Sequence, residues 1–170
     1  MKALALLLAV MTAPAGANPA AIGEALALCI EVVKAENPEP LEQAGLELLE
    51  PNKLAAPQWS VSYTAPAGIG EIRAGMDEWG GETPEEAFNC YLHLPAANGS
   101  EAMRWEKLGL GPVNALTSEG FELYGGSPVA PRLRKCPLLG KALYVSFSHN
   151  ERVEAVRLHV SDRASDQNRC

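Results

Sequence analysis

Histidine is scarce in this chain, with only His93, His149 and His159 among 170 residues. No Gly-x-Ser-x-Gly elbow is present, so the nucleophile turn of the α/β hydrolases has no support. No Cys-x-x-Cys occurs, which removes thioredoxin-type redox chemistry, and no Cys-x-x-Cys-His, which removes covalent haem attachment. Cationic side chains are outnumbered 21 to 14, leaving a formal charge of −7. A field of that sign repels phosphate backbones and anionic lipid, so neither nucleic-acid binding nor membrane insertion of the processed chain is expected. Internal repeats and low-complexity tracts are absent from the sequence, and no cofactor motif is found.

The N-terminus carries the strongest positive signal. Lys2 precedes a uniformly apolar run over residues 3–11, Pro14 breaks it, and Ala15-Gly16-Ala17 has the small-x-small form of a signal-peptidase site. The run is far short of the roughly 20 residues that span a bilayer. A lipoprotein signal ending at Cys29 fails, because Leu28 is not small and Glu24 interrupts the apolar stretch. The expectation is a cleaved signal peptide over 1–17 and one domain over 18–170, delivered to the periplasm or the extracellular space.

Export decides how the cysteines are read. Cys29, Cys90, Cys136 and Cys170 form an even set, and an oxidising compartment favours pairing them. Four cysteines allow three connectivities, which spacing does not separate. Cys29 and Cys90 each fall on an apolar stripe, whereas Cys136 and Cys170 sit in loop and tail, so Cys29–Cys90 with Cys136–Cys170 is the expected pairing. The bridges act as staples on a domain long enough to bury its own core.

Asn18-Pro19 opens a helix whose inner face is Ile22, Leu26, Cys29 and Val33. Leu41, Ala44, Leu48 and Leu49 suggest a second, shorter helix stopped by Pro51. The period then changes to two: Trp59, Val61 and Tyr63 alternate with serines, a turn follows at 66–68, and 69–74 reads as a partner strand. Residues 75–81 read as a loop carrying Met76, Asp77, Glu78 and Trp79. The stretch 83–94 is ambiguous, since Thr83-Pro84-Glu85-Glu86 resembles a capping box while Phe88, Cys90, Leu92 and Leu94 alternate; the strand is favoured. Ser100 is a candidate cap for a helix ended by Gly109, and 109–112 and 125–131 read as loops. The last hairpin pairs Leu143, Val145 and Phe147 with Val156, Leu158 and Val160, and a polar tail leads to Cys170. The expected class is α+β, with N-terminal helices packed on a mostly antiparallel sheet of hairpins and stapled by disulfides.

Chemistry-bearing constellations are weak. Ser161 or Ser146 with His159 and Asp162 makes a triad only on paper, and the simpler reading is a solvated strand face. Cys90-x-x-His93 has a metal-ligand spacing, but strand residues three apart point to opposite faces. No catalytic or metal residue is therefore assigned. Trp79 beside acidic residues could serve as a stacking surface. Arg132, Arg134 and Lys135 form the one basic cluster, placed on a loop between Pro131 and Pro137 and suited to an anionic ligand or an acidic partner protein. The expected role is a non-catalytic binding or interaction protein, such as an inhibitor, ligand binder or envelope assembly factor; the alternative is a small secreted hydrolase. N-terminal sequencing of exported material is expected to begin at Asn18; an intact Met1 or a lipid on Cys29 would exclude that processing.

Overall fold

A computed structural model of the chain describes residues 18–54, 58–79, 85–136, 141–150, 155–163 and 170. The segment expected as a signal peptide and the polar tail before Cys170 lie outside the described residues. Asn18 caps α1 (Pro19–Ala35), its Oδ1 accepting the N–H of Ala21 at 2.7 Å. The expected stripe of Ile22, Leu26, Cys29 and Val33 is buried, and Ala21, Ala25, Ile30 and Val32 widen it. Each large apolar side chain buried in this way contributes about 1.5–3 kcal/mol.

The second helix, α2 (Glu39–Gln43), is a single turn, shorter than expected. Gly45 takes φ +69° and redirects the chain, so Leu48 and Leu49 enter an edge strand, β1 (Leu48–Glu50), instead of the helix. Leu41 alone of the expected helical stripe is fully buried. Strands β2 (Trp59–Thr64), β3 (Glu71–Trp79) and β4 (Glu85–Pro95) follow as a meander. The stretch expected as a loop from residue 75 is therefore strand as far as Trp79. Period two carries through it, with Met76 buried and Asp77 exposed, and β4 is long enough to pair it to its end. Strand wins over helix at 85–95 for the same reason.

Asn98, not Ser100, caps α3 (Gly99–Ala115), and Glu101 reaches back to accept the N–H of Ala97 at 2.8 Å. The helix runs through Gly109 and Pro112, where a loop was expected. Gly109 is required by packing: a Cβ there would lie 2.7 Å from the Phe147 ring. The C-terminal half then builds β5 (Glu122–Ser127), β6 (Ala130–Lys135), β7 (Leu143–Asn150) and β8 (Ala155–Ser161). The glycine-rich 125–131 stretch is thus the β5–β6 hairpin.

All eight strands form one antiparallel sheet in the order β1-β2-β3-β4-β8-β7-β6-β5. The architecture repeats although the sequence does not: a helix precedes a four-stranded meander twice, and β4 joins β8 at the centre. Both long helices cover the same face. Cys29 of α1 is bonded to Cys90 of β4 on that face, and Cys136 is bonded to Cys170. Among the described residues no helix is long and apolar enough to cross a membrane.

Two stability measurements follow. Gly109→Ala is expected to cost about 1–3 kcal/mol in urea unfolding, because the new methyl overpacks the Phe147 ring. Removing Cys29–Cys90 by paired Ser substitution is expected to cost about 4 kcal/mol, given the 61-residue separation that the bridge closes.

Candidate functional site

The strand period of two sorts every side chain to the helix-covered face or to the opposite, open face. Ile72, Leu92, Leu158 and Val145 go to the covered face and are fully buried. The open face carries three cross-strand rows set by register. The central one runs Ser62, Arg73, Tyr91, His159, Ser146, Arg132 across six strands. Beside it lie Ser60, Gly75, Asn89, Ser161, Tyr144 and Arg134, and on the other side Glu71, His93, Arg157 and Ser148. Residues more than 60 positions apart are thereby placed side by side at the β4–β8 junction, as with Asn89 and Ser161.

Two open basins flank that junction. The first, of about 350 Å³, is lined by Arg73, Asp77, Asn89, Tyr91, His93 and Arg157, among others. Gly75 supplies its floor, and any Cβ there would lie 2.7 Å from the Trp59 carbonyl. The second, of about 360 Å³, includes Tyr124, Arg132, Ser146, Ser148, His159 and Arg163. The wall between them is an aromatic pair: Tyr91 and His159 stack with centroids 4.3 Å apart and ring planes within 6°.

A hydrogen-bonded chain braces this wall from behind. Asn89 Nδ2 donates to the Ala87 carbonyl at 3.2 Å and to Asp77 Oδ2 at 3.3 Å, which turns Asn89 Oδ1 toward His159 Nε2 at 2.9 Å. A carbonyl oxygen can only accept, so the network assigns the proton of neutral His159 to Nε2. Burial, reinforced by the Arg157 guanidinium, pushes the His159 imidazolium down to about 4. Burial and Arg157 also push His93 below its ordinary value, with Glu71 pulling the other way and Arg73 adding to the depression. Burial, then Asp77, pushes the Tyr91 phenol up, against a smaller lowering by Arg157. At neutral pH the first basin therefore holds neutral rings, a phenolic O–H and two fixed cations, Arg73 and Arg157. Among the described residues its one lining carboxylate is Asp77. Arg157 Nε is buried and meets no hydrogen-bond acceptor among the described residues.

The basic cluster picked from sequence is on a strand, not on a loop, and β6 splits it. Arg132 and Arg134 share the open face, whereas alternation turns Lys135 away. Lys135 Nζ donates to the Glu119 carbonyl at 2.6 Å and lies over the Phe121 ring. Arg134 pairs with Glu122 at 3.7 Å and lies over Tyr124. Of the three, Arg132 lines the second basin. Trp79 ends β3, and its side chain lies outside the described residues.

The paper triad does not come together around Asp162. Its Oδ1 accepts the Phe88 N–H at 2.9 Å and its Oδ2 meets Lys141 at 3.1 Å. Cys90 is spent in a disulfide on the covered face while His93 stands on the open one. No group of three His, Cys, Asp or Glu side chains suited to a metal ion exists among the described residues. Sequence reasoning missed Arg73, Tyr91 and Arg157. Each does sit at a polar position of an alternating stretch, and only the register brings them together.

The pH sign follows from the depressed histidine. Unfolded His159 takes a proton near pH 6.5, whereas folded His159 resists until about 4. The unfolded chain thus binds more protons between those values, and stability is expected to fall as pH drops from 6.5 to 4. The His159 contribution is on the order of 2 kcal/mol, and His159→Gln should flatten that limb in urea titrations at stepped pH; an unchanged slope would remove His159 as its source.

No protein-family model matches the chain, and neither does any curated protein or solved structure.

Proposed function

We propose that the protein is an exported, non-catalytic binding module whose first basin takes an anionic group between Arg73 and Arg157. The observation that carries this reading is a local reversal of charge. In a chain of net −7, the described residues lining the basin present two arginines against a single carboxylate, and Asn89 already donates to that carboxylate. Arg157 Nε, buried and without an acceptor among the described residues, is a donor that a bound carboxylate or phosphate would satisfy. Guanidinium forks match such groups in two-point geometry, and both arginines rise from interior strands that hold them in place. Tyr91 and neutral His93 offer further polar edges without adding charge.

Two disulfides and the leader-like N-terminus support an oxidising destination. The hydrolase alternative needs a nucleophile against His159, and Nε2 of that histidine is engaged by Asn89.

The test is an amide NMR titration with glucuronate and, separately, inorganic phosphate. Shifts are expected to concentrate at Arg73, Tyr91, His93 and Arg157, and Arg157→Gln should weaken binding about tenfold or more, the scale of one charge-assisted hydrogen bond. Perturbations elsewhere, or full affinity in Arg157→Gln, would overturn the assignment.

A further inference from the structure

The open face holds more than one cationic position. Within the central row Arg73 on β3 and Arg132 on β6 are the cations, with Tyr91, His159 and Ser146 between them in unbroken register. Four inter-strand steps of about 4.8 Å separate the two arginines by about 19 Å between Cα atoms, less where the side chains lean inward. A single carboxylate cannot meet both ends. The two basins lie along this row on either side of the Tyr91–His159 stack, and among the described residues no carboxylate lines the second.

We infer that the row binds one extended ligand, a short oligosaccharide bearing carboxylates, lying across the strands with one anionic group in each basin. The inference rests on the anion-binding reading of the first basin and adds the substrate class and the length. Two observations favour a glycan over an acidic peptide. Strands β4, β8 and β7 are interior, so their backbone groups are already paired on both sides and offer nothing to a peptide main chain. Between the cations stand side-chain hydroxyls, on Tyr91, Ser146 and Ser148, which both donate and accept as sugar hydroxyls do. The stacked ring pair sits midway, presenting an aromatic edge to the chain passing over it.

The experiment is calorimetric titration of the disulfide-bonded chain with galacturonate oligomers of one to five units at low salt. Affinity is expected to climb about tenfold or more between one and four units and then level, as the second basin is engaged by the same molecule. Arg132→Gln should collapse the ratio of four-unit to one-unit affinity toward one, with thermal unfolding confirming that the variant is folded. Methyl-esterified oligomers of equal length should lose the gain. An affinity independent of length, an undiminished ratio in Arg132→Gln, or tighter binding of a pentaglutamate peptide would each overturn the glycan row. Single-unit binding that depends on Arg157 without any length effect would sink this inference alone; absence of binding by every probe would sink both readings.

Discussion

Everything on the open face follows from one constraint: both long helices pack on the same side of a single eight-stranded sheet. The covered side can then be apolar throughout, and the other side must be wettable along its whole width. Period two makes these demands strictly alternate along each strand. A one-residue slip would drive Arg157 and His159 into the core and expose Leu158. The Cys29–Cys90 bridge works against such a slip at the central strand, because it ties one covered-face position of β4 to α1.

The face that results is polar but not uniformly solvated. Asn89 and Ser161 are buried on it, and His159 is largely so. Buried polar groups are tolerated where their partners are complete, as at Asn89, which donates twice and accepts once. Completeness at Asn89 contrasts with the Nε of Arg157, two strand positions from His159, which has no acceptor among the described residues. The same sheet thus holds a closed network and an open valence side by side.

Much of the fold was legible in the residues. The stripe of α1, the final hairpin, the strand at 85–95 and both disulfide partnerships follow from periodicity and from the expectation of an oxidising destination. The errors share a physical cause. Gly75 and Gly109 were read as ends of their elements, yet both are demanded by close approach of the Trp59 carbonyl and the Phe147 ring; the second helix was read straight through Gly45, whose positive φ does end it. Tertiary contact decided, and local propensity could not foresee it. The basic cluster misled in a related way. Three cations within four residues look like a patch, yet a strand separates neighbours to opposite faces and an adjacent glutamate takes up Arg134. The site that does form is assembled from β3, β4 and β8, and nothing in linear spacing announces that meeting.

The repeated helix-plus-meander plan has a mechanical side. Each disulfide closes within one half: Cys29–Cys90 within the first, Cys136–Cys170 within the second. The halves are joined covalently only by the short passage from Pro95 to Gly99, and otherwise chiefly by the β4–β8 ladder and by α1 against α3 and β8. A cut in that passage would leave two fully cross-linked fragments held together by non-covalent contacts alone. The β4–β8 ladder is therefore the main non-covalent seam between the halves, and the Tyr91–His159 stack lies on it.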